Sequence, residues 1–143
     1  MIEVSPVLSF YGDCEEAFEY YRAVFGGEYQ FIYRYKDVDP ESVAKGYGEK
    51  IMHVSLPLMK NVNLMGSDIL DGDAGGFVGS DVSIGLRLNN EEETLRLFDA
   101  LAKGGAVVVP LEKVFYADLY GALIDRFGIG WSFNCNIGRE AGI

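Results

Sequence analysis

The sequence is poor in the residues that most often carry chemistry: one histidine, His53, one tryptophan, Trp131, and two cysteines, Cys14 and Cys135, in 143 residues. The cysteines lie far apart with no CxxC partner, which argues against a disulfide framework or a zinc site and leaves buried free thiols as the expectation. With one histidine, only one serine could be activated as a nucleophile, and Ser5, Ser9, Ser67, Ser83 and Ser132 stand in no GxSxG elbow. No stretch approaches the roughly 18 apolar residues of a membrane span. The opening MIEVSPVLSFYGD lacks a basic n-region, so no signal peptide is expected and the expected location is the cytoplasm. Basic residues are also scarce, 12 Lys and Arg against 22 Asp and Glu, for a formal net charge of −10. Phosphate contact needs clustered Lys and Arg, so neither nucleic acid nor an anionic membrane is an expected partner.

What the chain does have is material for a core. Its composition is 49% hydrophobic and 13% aromatic, that of a globular chain, and the length suits one compact domain or two tightly joined half-domains. Val4 to Phe10 reads as a strand. Asp13, with Glu16 three residues on, reads as a capping-box start for a helix whose buried stripe is Ala17, Phe18, Tyr21, Val24 and Phe25. Gly26-Gly27 stops that helix, because glycine takes left-handed backbone cheaply. Strands are expected over 28–35, 50–58 and 62–67, the last two joined by a turn near Lys60-Asn61.

The second half repeats this grammar. A strand over 81–88 precedes Asn90, the expected cap of a helix with Glu93 three residues on, and Gly104-Gly105 ends that helix. Strands are expected over 106–111, 116–124 and 130–136. A shift of 78 residues lays Leu8 on Leu86, Phe10 on Leu88 and Gly26-Gly27 on Gly104-Gly105, which reads as an internal duplication. The expected organisation is module one over 1–67, a linker over 68–80 and module two over 81–143. Residues 36–49 form a polar excursion, and both it and the linker are read as either flexible connections or lids.

Particular residues then resemble a family. Gly104-Gly105 through Pro110-Leu111, then Phe115-Tyr116, Tyr120-Gly121, Asp125-Arg126-Phe127-Gly128 and Trp131 resemble the C-terminal signature of the PhnB-like branch of the vicinal oxygen chelate (glyoxalase/bleomycin resistance/dihydroxybiphenyl dioxygenase) superfamily. In the first half, Leu8 to Gly27, Lys50 to His53 and Leu64 to Asp68 match as well. The resemblance implies an α+β fold of two tandem βαβββ modules forming an open, cup-shaped mixed sheet around a cleft, and a homodimer. It leaves function open among isomerases, dioxygenases, transferases and sequestering proteins. PhnB-like chains are often labelled 3-demethylubiquinone methyltransferases, yet no glycine-rich nucleotide loop follows the first strand here.

Metal-using relatives take His, Glu or Gln from matched strand positions. Their counterparts here fall at Pro6, Met65 or Gly66, Ser83 and Ser132, none of which holds a divalent ion as those side chains do. Neither a metal nor another cofactor is expected. Asp68, Asp71 and Asp73 suggest calcium, but an EF-hand-like loop from Asp71 would put Gly75 and Val82 where oxygen ligands are needed. The expected ligand-lining side chains are Ser9, His53, Met65, Ser67, Phe115, Tyr116, Tyr120 and Trp131, with Tyr33 and Phe133 as further aromatic candidates. Aromatic walls favour a flat apolar or aromatic small molecule. His53 and Tyr120 are the candidates for an enzymatic alternative, and Cys14, in the first turn of a helix, is a candidate for a dipole-lowered thiol. Asp125 and Arg126 read as structural parts of a turn closed by Gly128.

Overall fold

A computed structural model describes residues 5–59, 62–70 and 82–137. The chain divides into two compact units, Met1–Val78 and Gly79–Ile143. The first contains β1 (Val7–Phe10), α1 (Cys14–Phe25), β2 (Phe31–Arg34), two one-turn helices α2 (Tyr35–Val38) and α3 (Glu41–Ala44), β3 (Ile51–Met59) and β4 (Val62–Asp68). The second contains β5 (Ile84–Leu88), α4 (Glu91–Ala102), β6 (Ala106–Val114), β7 (Ala117–Ile124) and β8 (Gly130–Cys135). The described strands form two four-stranded sheets with matching orders, β1-β4-β3-β2 and β5-β8-β7-β6. In each sheet the first strand of the unit pairs parallel with the last, and the remaining pairs are antiparallel. This is the α+β, βαβββ-twice architecture expected from the sequence. The turn near Lys60-Asn61, most of the 68–80 linker, and Asp71 and Asp73 lie outside the described residues.

Each helix is stopped where the sequence pattern ends. Gly26 and Gly27 both have positive φ, 84° and 90°, which an L side chain rarely adopts. In the second unit the glycine pair divides the work differently. Gly104 takes the positive φ of 79°, whereas a Cβ at Gly105 would run into the Ile124 carbonyl and the Asp125 backbone. One glycine is there for conformation and the other for close approach.

The helix starts differ more. Asn90 caps α4 as expected, its side-chain oxygen accepting the Glu93 N–H at 2.8 Å. Asp13 makes no side-chain cap bond to α1. The expected capping box is replaced by Asp68, the last residue of β4, whose Oδ1 accepts the N–H groups of Gly12 at 2.9 Å and Cys14 at 3.0 Å. Its Oδ2 accepts the Ile51 N–H at 2.9 Å. Asp68 is therefore a buried anchor joining α1 to β3 and β4.

The polar excursion over 36–49 is folded back onto the unit. The Tyr35 hydroxyl donates to the Asp68 carbonyl at 3.0 Å, and Lys36 N–H donates to Gly48 O at 3.0 Å. Ser42 is buried and donates through its hydroxyl to Asp39 O. These bonds supply backbone partners that an open loop would leave to water. Among the described residues no helix is long and apolar enough to cross a membrane.

Candidate functional site

Strand alternation gives each sheet two faces, and the helix of each unit decides which is core. In the first unit α1 covers the face carrying Gly66: a Cβ there would run into the ring of Phe18. Leu8, Val54, Leu56 and Leu64 are buried and share that covered side through the registers Leu8↔Gly66, Val54↔Gly66 and Leu56↔Leu64. The alternate residues occupy the helix-free face. There the registers are Val7↔Met65, Ser9↔Ser67, Ser55↔Met65, Phe31↔Ser55 and Tyr33↔His53. Four of the expected lining residues, Ser9, His53, Met65 and Ser67, thus share one sheet face.

Two aromatic neighbours complete this face. The His53 ring stacks on Phe31 with centroids 5.1 Å apart and planes 25° apart, and Phe31 lies 5.2 Å from Tyr33. His53 was expected as a ligand-lining residue or as a base; among the described residues its contact is this ring stack. Tyr33 is 47% exposed, so its ring lies open to an approaching molecule. At the other end of the face Ser55, fully buried, donates to Gln30 Oε1 at 3.1 Å, and Asn63 Nδ2 donates to the same oxygen at 3.2 Å. The sequence reading missed Phe31, Ser55, Gln30 and Asn63. Alternation places Phe31 with Tyr33, but only the strand register brings them to His53.

In the second unit α4 covers the face that carries Phe133, which meets Phe98 edge-on at a centroid distance of 5.2 Å. Trp131 and Phe133 are both fully buried on this covered side, beside Leu123 and Gly121 in the register. The indole N–H of Trp131 donates to Asp125 Oδ2 at 2.9 Å. Trp131 and Phe133 are therefore core residues held against α4, unavailable to a ligand on the opposite face. Asp125 is buried, and its Oδ1 accepts the N–H groups of Phe127 and Ile129 at 2.9 and 3.0 Å. This is the structural role expected of the Asp125–Gly128 turn, with Gly128 at φ 89°. Arg126 lies over the Phe127 ring at 4.9 Å.

The remaining aromatic candidates form a chain at the β6–β7 end, Phe115 to Tyr116 at 4.8 Å and Tyr116 to Tyr120 at 5.7 Å. Phe115 is fully exposed. Tyr120 sits on the helix-free face of its sheet, opposite Asn134. His53 and Tyr120, the two candidates for acid–base work, belong to different units.

Cys14 is not an activated thiol. Burial first, and the neighbouring Asp68 carboxylate second, push its ionisation far above the ordinary cysteine range. The charge of Asp68 at the helix start opposes the dipole effect anticipated there. Cys135 is also buried and free.

A divalent ion does not fit the donor set. On the strand pairs β1–β4 and β5–β8 the helix-free positions are Val7, Ser9, Met65 and Ser67, then Gly85, Arg87, Ser132 and Asn134. None is His, Glu, Asp or Cys, and among the described residues no three such side chains group closely enough to hold a metal.

Comparison with known proteins agrees with this architecture. The family model for the Glyoxalase/Bleomycin resistance protein/Dioxygenase superfamily matches residues 4–133. Protein YjdN of Escherichia coli is 30% identical over 138 residues, covering 92% of this chain and 93% of that protein. The crystal structure of protein PA1353 from Pseudomonas aeruginosa is 34% identical with a TM-score of 0.84, covering 96% of this chain and 99% of that one. A Bacillus cereus structure described as a putative 3-demethylubiquinone-9 3-methyltransferase, PhnB protein, is 25% identical with a TM-score of 0.75, covering 94% and 99%. With the fold, the Asp125–Gly128 turn and these matches in agreement, the chain belongs to the glyoxalase/bleomycin resistance/dioxygenase superfamily, in its PhnB-like branch.

Proposed function

We propose that the chain binds a flat apolar or aromatic small molecule on the helix-free face of its first sheet, and does so without a metal ion. The observation that carries this reading is the convergence of Ser9, His53, Met65 and Ser67 on one face, beside the stacked rings of Phe31 and Tyr33. Stacked, part-exposed rings offer a planar ligand a π surface. Met65 adapts its shape to the ligand's edge, and the serine hydroxyls supply the few polar contacts that orient it. Metal independence is supported by the side-chain chemistry at the positions where metal-using relatives place ligands. An acid–base role for His53 would call for a group that orients its imidazole, and ring stacking fixes no tautomer.

A homodimer belongs to the same reading. Strand β6, at the edge of its sheet among the described residues, exposes Val107, Val108 and Val109, an apolar edge of the kind a second copy of the chain covers.

Native mass spectrometry of protein purified without added metal or chelator, with elemental analysis of the same sample, tests the whole reading at once. The expected result is a metal-free dimer that retains an organic adduct, or takes up added 2-naphthol at one per chain. F31A should weaken naphthol uptake at least tenfold. A stoichiometric divalent ion, or uptake indifferent to F31A and H53A, overturns the reading.

A further inference from the structure

We infer that the helix-free face of the second sheet holds an oxyanion-binding row, built on Arg87 and Asn134 and reached by the Tyr120 hydroxyl, for a carboxylate or phosphoryl group of a small molecule. The register Arg87↔Asn134↔Tyr120 places these three residues at one level on three adjacent strands, on the face opposite buried Phe133 and Trp131. Adjacent strands lie about 4.8 Å apart, so the row spans about 10 Å from Arg87 to Tyr120. A small anion seated above Asn134 lies within reach of both ends.

The state of the arginine is the first argument. The described residues include five arginines, and four are engaged. Arg22 pairs with Glu19, Arg34 with Glu15 and Arg96 with Glu93, while Arg126 lies over the Phe127 ring. Arg87 has no ion pair or hydrogen bond among the described residues. In a chain of net charge −10, with carboxylates outnumbering cations nearly two to one, an unpaired guanidinium on a structured sheet face stands out. Its planar fork matches a carboxylate or a phosphoryl group through two parallel N–H donors.

The neighbours supply the second argument. Asn136 Nδ2 donates to Asn134 Oδ1 at 2.8 Å, so the Asn134 carbonyl oxygen is occupied and its own amide hydrogens are the groups left to offer. The next level of the same face is Gly85↔Ser132↔Ala122, a floor of small side chains that lets a ligand approach the sheet closely. Two carboxylates share this face. Asp118 Oδ2 accepts the Ile137 N–H at 2.8 Å, and Glu112 lies beyond Tyr120 on β6, a third strand spacing away from Arg87. The donors thus gather at the β5–β8 side and the free carboxylate at the β6 side, a polarity that orients an anion toward Arg87.

The site lies in the second unit and stands independently of the aromatic face in the first. Its test is a ¹⁵N heteronuclear titration that follows the Arg87 Nε–H and the Asn134 side-chain amide, with benzoate, inorganic phosphate and the neutral control benzamide as probes. The expected result is saturable shifts of both signals with at least one of the two anions and none with benzamide. In R87Q the apparent Kd should rise at least tenfold while the fold is retained. Shifts with benzoate alone assign a carboxylate, and shifts with phosphate alone a phosphoryl group. The inference is overturned if neither anion moves these signals, if benzamide moves them equally, or if R87Q titrates like the parent chain. None of these results bears on naphthol uptake at Phe31, so the two readings fail separately.

Discussion

Among the described residues each unit buries one aspartate, and the two carboxylates do the same chemical job in different places. Asp68 accepts the N–H groups of Gly12, Cys14 and Ile51; Asp125 accepts those of Phe127, Ile129 and the Trp131 indole. In the first unit the carboxylate stands at the start of α1, which lacks a cap from Asp13. In the second, Asn90 already caps α4, and the carboxylate closes the turn between β7 and β8 instead. The strand orders match, yet the anchoring does not. A buried carboxylate goes where backbone N–H groups would otherwise be orphaned, and that place follows from the caps each helix happens to have.

The largest effects are expected at these anchors. Asp68→Ala leaves three N–H groups, two of them buried, without their acceptor and should cost about 4 kcal/mol, since hydrogen bonds to charged groups contribute about 1.5–3 kcal/mol each and do not add fully. Asp125→Ala should cost a similar amount and also change the emission of Trp131, the chain's only tryptophan, as the indole loses its partner. Urea unfolding and fluorescence read both. A loss under 1 kcal/mol for either variant would mean that water replaces the carboxylate, and the parallel between the units would fail.

A smaller effect tests the caps themselves. Asn90→Ala should cost about 1 kcal/mol, the ordinary loss of a side-chain N-cap. Asp13→Ala should change stability by less than about 0.5 kcal/mol, because its side chain makes no cap bond to give up. Equal losses at the two positions would restore the symmetric pair of helix starts that the repeated sequence suggests.

That asymmetry also explains what was legible in the sequence. Strands, helices, the Gly-Gly stops and the Asn90 cap are local features, set by periodicity and by residues within a turn of one another. The start of α1 was misread because its acceptor lies 54 residues away from Cys14, on β4. Trp131 was placed with the ligand-lining residues because alternation alone leaves undecided which face a helix covers. Its hydrogen bond to Asp125 and its position beside Phe133 and Leu123 decide that. The candidate face of the first sheet was half legible. Ser9, His53, Met65 and Ser67 carried polar or sulfur chemistry at alternating positions, whereas Phe31 and Ser55 join them only through pairing between strands distant in sequence. The Tyr35–Gly48 stretch, with only scattered apolar residues, gave no periodic signal for the two short helices it forms.

The smallest difference concerns ion pairs. Glu15 on α1 reaches across sequence to Arg34, with two hydrogen bonds at 2.6 and 2.9 Å, while Glu93 on α4 pairs with Arg96 three residues along the same helix. In both, the arginine hydrogen bond holds the carboxyl below its ordinary range. A carboxylate with a depressed folded pKa contributes stability that is present above its unfolded pKa, about 4.3 for glutamate, and lost as pH falls through the folded value. Both pairs are partly exposed and screened, so each contribution is small. Glu15→Gln should cost about 0.5 kcal/mol at pH 7 and Glu93→Gln about 0.3 kcal/mol, with both costs vanishing as the wild-type carboxyls protonate. The Glu15 pair should be the larger because it ties α1 to β2, so its loss releases a tertiary constraint as well as a charge. Thermal unfolding of both variants at pH 7 and in acid measures the difference. A Glu93→Gln cost equal to or above that of Glu15→Gln would make the two pairs equivalent and remove the last asymmetry between the helices.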